Sequence, residues 1–106
     1  MTEITYINNL NEFTLKVEGH SNYAESGKDI ACAGVSTLVV TLAIMIEKNS
    51  DKLFMPEQIR IQDGYAFICA FPKEKYHKEF EIMFSMVMQG FEWLSKEFEE
   101  NIKICI

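Results

Sequence analysis

Cysteine is scarce in this chain: Cys32, Cys69 and Cys105 are an odd number with no CxxC pair among 106 residues. A disulfide framework or a structural zinc site needs a better set, and reduced thiols in the cytoplasm are the simplest account. Positive charge is short as well. Ten Lys and Arg stand against sixteen Asp and Glu, for a net charge of −6, and no basic cluster occurs. A nucleic-acid binder normally carries such a patch, so no direct nucleic-acid contact is expected. Long hydrophobic runs are missing too. The longest, Leu38 to Ile46, falls short of the ~20 residues that cross a bilayer, and Glu47 and Lys48 follow it. The opening MTEITYINNLNEF shows no basic region ahead of an apolar stretch, so no signal peptide is expected. These absences predict one soluble, cytoplasmic domain over 1–106 with no membrane association.

What is present reads as strands and helices in the order ββαββαβ. Ile4 to Ile7 and Phe13 to Val17 are rich in β-branched and aromatic residues and are separated by Asn8, Asn9 and Asn11, which predicts a hairpin. Phe13, Leu15 and Val17 alternate with polar residues, so one face of that strand is buried. A polar loop, Ser21 to Lys28, leads to a helix expected from Asp29 to Lys48, with Asp29 as N-cap. The β-branched run Val39, Val40, Thr41 needs burial to compensate its poor helix propensity. Asn49 to Met55 reads as an exit segment ended by Pro56. Two strands follow, Ile59 and Ile61 in one and Tyr65 to Phe71 in the other, joined at Asp63-Gly64, a strong hairpin signal.

A second helix is predicted over Lys75 to Glu100. Phe80, Phe84, Val87, Phe91, Leu94 and Phe98 alternate at spacings of four and three, the seam of an amphipathic helix. Ile82, Met86 and Trp93 form a second apolar stripe that one sheet cannot cover, which predicts a homodimer. Ile102 to Ile106 reads as a short last strand. The fold class is α+β, a mostly antiparallel sheet with two helices packed on one side.

The segment Gly19 to Ser36, GHSNYAESGKDIACAGVS, holds the chemistry. His20 ends a strand, and Cys32 falls in the first turn of the first helix, where unpaired N–H groups and the helix dipole favour a thiolate. A histidine within reach can take the thiol proton, which is the minimum equipment of a cysteine nucleophile. Open first-turn N–H groups would also serve an oxyanion. Ser36, four residues beyond Cys32, shares its helical face, and Asp29 serves as cap, as a partner of His20, or both. Each feature has an ordinary alternative. A lone cysteine at a helix start is usually a small buried hydrophobe, and Asp29 alone reads as a cap. Cys69 and Cys105 lie in strands and read as inert, and His77 among Lys and Glu reads as solvated. A thiol redox role lacks a resolving cysteine near Cys32.

The same segment closely resembles the signature of the ribosomal-processing cysteine protease Prp family: Gly-His, a loop ending in Asp, a hydrophobic pair, then Cys-Ala with Gly and a nearby Ser. The ENIKI of Glu100 to Ile104 is similar to that family's closing strand. The resemblance implies a cysteine endopeptidase that removes a short N-terminal extension from large-subunit ribosomal protein twenty-seven. It implies Cys32 as nucleophile and His20 as base, Asp29 and Ser36 in support, and a substrate-covering loop. The residues implied on the substrate side are Gly19, Ser21, Tyr23 and Gly27, with Ala33 and Gly34 at the thin start of the helix. It also implies a homodimer formed through helices, and no metal or organic cofactor. Two alternatives stay open: a phage-encoded relative that processes a capsid or scaffold protein, and a non-catalytic ribosome-associated module of the same fold.

Overall fold

A computed structural model describes residues 1–20 and 29–105. Strands β1 (Thr2–Asn8) and β2 (Phe13–Glu18) precede helix α1 (Ile30–Lys48). Strands β3 (Leu53–Gln62) and β4 (Tyr65–Pro72) follow, then helix α2 (His77–Glu97) and β5 (Ile102–Cys105). The sheet order is β3-β4-β2-β1-β5. Every pairing is antiparallel except that of β1 with β5. The expected order and class are met, with both helices on one face.

Alternation along the strands decides that face. Ile4 lies opposite Val17, and Val17 opposite Ala66, while Leu15 lies opposite Ile68. All five are buried against the helices. Phe84 of α2 stacks on Phe13 and on Tyr6, at ring-centroid distances of 5.3 and 5.8 Å. The predicted seam of α2 is the buried face, with Phe80, Phe84, Val87, Phe91 and Leu94 all inside. The helices pack tightly because glycine lets them. A Cβ on Gly90 would stand 2.8 Å from a Leu38 methyl, and one on Gly34 would stand 3.1 Å from a Leu94 methyl. Gly34 is therefore turned toward α2.

Burial compensates the β-branched run Val39, Val40, Thr41 only at Val39, since Val40 and Thr41 are exposed. Val35 and Val39 are buried. Thr37 and Thr41 donate their hydroxyls to the carbonyls of Ala33 and Thr37, at 2.8 and 2.6 Å, the back-bonding open to Ser and Thr in a helix.

Four readings shift. The exit segment before Pro56 is already strand: β3 starts at Leu53 and carries Pro56 on an edge, where register shifts between Leu53 and Gln58 absorb the missing N–H. The α2 helix begins at His77, after a short 3-10 turn over Glu74–Tyr76, and ends at Glu97. His77 is not simply solvated, because its ring packs on Phe13 at 4.9 Å between centroids. Helix α1 is also apolar well beyond the run Leu38 to Ile46. By length and composition its nineteen residues would suffice to cross a membrane, yet Ala31, Val35, Val39, Leu42, Ala43 and Ile46 form one face buried in this core.

Candidate active site

Asp29 caps α1 as the sequence predicts. Its backbone is extended, and its carboxylate Oδ1 accepts a hydrogen bond from the Cys32 N–H at 2.9 Å. The Ala33 N–H donates to the Asp29 carbonyl at 3.0 Å. Two of the first-turn donors are thus engaged by Asp29, so the oxyanion expected to sit on open first-turn N–H groups is not served by those two. The dipole of a nineteen-residue helix still favours negative charge beside Cys32. Cys32 is a free, half-buried thiol.

His20 follows β2 through Gly19, whose φ of 95° is a conformation that suits glycine. A side chain there would also collide with the carbonyl of Met1. The Gly19 N–H donates to the Gly64 carbonyl at 2.9 Å, and the Met1 ammonium donates to the His20 carbonyl at 2.6 Å. The β2–β4 register, with Glu18 opposite Tyr65, delivers the Asp63-Gly64 turn to this end of the sheet. The His20 ring lies directly over Gly64.

These elements enclose a cavity of about 150 Å³. Gly19 and His20 line one side, Cys32 and Ser36 another. Val17, Val35, Val39 and Ala66 make its walls apolar, Thr2 lies in it from β1, and the Ile61–Tyr65 hairpin tip forms its rim. His20, Cys32, Ser36 and Gly19 therefore share one cavity. Asp29 supports it by holding the helix start. Ala33 is exposed and, like Gly34, is not among the lining residues. Ser21, Tyr23 and Gly27 lie outside the described residues. Sequence reasoning missed Thr2 and the hairpin tip, because only the strand pairing brings them here.

The other thiols are placed differently. Cys69 is 3% exposed, with the Thr14 hydroxyl 3.2 Å and the Glu12 carboxylate 3.6 Å from its sulfur. Burial pushes its thiol pKa up, and Glu12 adds to that against an opposing hydrogen bond from Thr14. Cys105 is half-buried at the end of β5. Among the described residues no cluster of three or more His, Cys, Asp or Glu side chains is placed to hold a metal ion.

Comparison with known proteins gives a consistent answer. The family model described as cysteine protease Prp matches residues 1–103. The ribosomal processing cysteine protease Prp of Bacillus subtilis is 24% identical over 97 residues, covering 86% of this chain and 82% of that protein. The S. aureus ribosomal processing protease Prp, in complex with a covalently linked product peptide, superposes with a TM-score of 0.75 at 21% identity, covering 98% of this chain and 97% of that one. The same protease in complex with a substrate peptide gives 0.71 at 18% identity, covering 99% and 98%.

Proposed function

This chain belongs to the cysteine protease Prp family, and on that footing we propose that it is the endopeptidase that cuts a short N-terminal extension from large-subunit ribosomal protein twenty-seven. The reading that its relatives act in ribosomal processing supports the substrate. The observation that carries the chemistry is the single cavity lined by both Cys32 and His20.

In this mechanism His20 takes the Cys32 thiol proton as the sulfur attacks the carbonyl carbon of the scissile bond. The tetrahedral intermediate collapses, and His20 returns the proton to the departing amine. The acyl group remains on sulfur as a thioester. His20 then deprotonates a water that attacks the thioester, releasing the carboxylate product and the thiol. Asp29 keeps the thiol at the head of α1, and Ser36 lies beside it as a hydrogen-bonding group.

Two copies pair through the outer faces of the helices. Ile82, Met86 and Trp93 of α2 are exposed, as are Ile30, Val40 and Ile44 of α1. Exposed apolar side chains on two neighbouring helices are of the kind that marks interfaces, with Val40 turned toward the cavity of Cys32 and His20. The site of action is the cytoplasm, in keeping with three free cysteines.

Intact-mass measurement of the extended ribosomal protein after incubation tests the substrate. A shortened product with the wild-type chain and none with Cys32→Ala is expected. An unchanged mass with the wild-type chain would remove this substrate, and cleavage of a capsid or scaffold protein instead would favour the phage alternative.

A further inference from the structure

The outer edge of β3 runs up to the cavity that holds Cys32 and His20. The sheet order puts β3 at one end, and among the described residues no strand pairs with its outer side. Ladder parity tells which backbone groups are left over. The Gly19 N–H reaches the Gly64 carbonyl, so even-numbered residues of β4 turn their backbone groups to β2 and odd-numbered ones turn theirs to β3. Opposite Tyr65, Phe67 and Cys69 stand Gln62, Arg60 and Gln58, whose N–H and C=O groups the β3–β4 ladder takes up. Those of Ile59 and Ile61 point the other way, out of the sheet. Bare edges invite pairing, and proteins blunt them with proline and bulges. β3 is blunted only at its far end, where Pro56 and the register shifts lie between Leu53 and Gln58. From Gln58 to Gln62 the pairing is regular, and this stretch ends at the cavity, where Ile61 and Gln62 are lining residues. Ile61 thus belongs to both the edge and the cavity.

We propose that the substrate peptide adds to the sheet as a further strand along the Gln58–Gln62 edge of β3, bonded through its main chain to Ile59 and Ile61. The bond to be cut lies beyond the end of that edge, in the cavity. The inference rests on the protease reading and names how the enzyme holds its substrate, by backbone on a surface outside the catalytic cavity. Ile59 and Ile61 present donor and acceptor together at the two-residue repeat of an extended chain, ~7 Å. Strand addition of this kind draws its affinity from main-chain bonds. A helix has already spent its backbone groups on itself, so an extended segment is accepted where a helical or folded one is not.

The test selects peptides from a randomised dodecapeptide library by binding to Cys32→Ala, then remakes each with a single backbone N-methyl group at successive positions. Affinity losses should recur at every second position along the paired stretch, each about three- to tenfold, the scale of one net hydrogen bond. Ile59→Pro removes one outward N–H and no ladder bond, and Ile59→Val keeps that N–H as the control for lost packing. Added to Cys32→Ala, Ile59→Pro should weaken binding of the unmethylated peptides about three- to tenfold, and Ile59→Val should leave it unchanged. Iodoacetamide should alkylate Cys32 at the wild-type rate in Ile59→Pro with Cys32 present; if it does not, the N-methyl scan alone decides. Losses without the alternation, no bound peptide, or equal binding by the two Ile59 variants overturns the proposal. Ile59→Pro that splits a dimer while peptide binding holds also overturns it, and gives the edge to a second copy. If Cys32→Ala binds peptides in the alternating pattern but the wild-type chain cleaves none of them, the strand addition stands and the protease reading falls.

Discussion

The imidazole of His20 rests on the bare Cα of Gly64, and a Cβ there would stand 2.8 Å from Nε2. Gly64 has a φ of 72°, so it serves both the hairpin turn and the space for the ring. Asn tolerates that backbone conformation, so Gly64→Asn should fold while displacing His20. Its kcat/KM should fall about tenfold or more, toward the ~10²–10⁴-fold loss expected of His20→Ala. Wild-type activity in Gly64→Asn would show that His20 does not depend on this seat.

Cys69 should resist modification and mark the pH dependence of stability. Burial raises its thiol pKa in the folded chain, so above the ordinary thiol value the unfolded chain holds fewer protons than the folded one. Stability then falls as pH rises from that value toward the folded one, and is unaffected below it. Denaturant titrations at pH 7 and pH ~10, where an ordinary thiol is ionised, should show a larger loss for the wild-type chain than for Cys69→Ala. An identical loss in both would remove Cys69 as a source.

The sequence made the sheet order's parts, both helices and the cap legible for local reasons. Alternation in Phe13 to Val17, the spacing from Phe80 to Leu94 and the placement of Asp29 before Cys32 each act within one element. The site was only half visible. Cys32 and His20 belong to one segment, but Gly64 and Thr2 reach them through strand pairings between distant parts of the chain. His77 was misjudged for the same reason, since its partner Phe13 lies on β2. Pro56 read as a stop because its sequence does not reveal that β3 is an edge strand.

Asp29 accepts the Cys32 N–H through its side chain, a role Asn fills nearly as well. Asp29→Asn should therefore cost little stability, while Asp29→Ala should lose ~1 kcal/mol in denaturant unfolding. Turnover in Asp29→Asn should fall far less than in His20→Ala. A loss of equal severity would assign the carboxylate a part in catalysis.

The outer helix faces should hold two chains together. Met86 and Trp93 are among the most exposed apolar residues, and charge placed at either should break the pair without disturbing the buried seam. Sedimentation at micromolar protein is expected to give twice the 12.3 kDa chain mass for the wild-type chain, and the single-chain mass for Met86→Lys with Trp93→Glu. A wild-type chain already at 12.3 kDa would leave these stripes without a partner.

Acid quenching during turnover, followed by peptide mapping, addresses the central claim that Cys32 attacks the substrate. The account predicts an acyl adduct on the tryptic peptide that contains Cys32, absent in Cys32→Ala and slow to form in His20→Ala. An adduct on Cys69 or Cys105, or undiminished cleavage by Cys32→Ala, would contradict it.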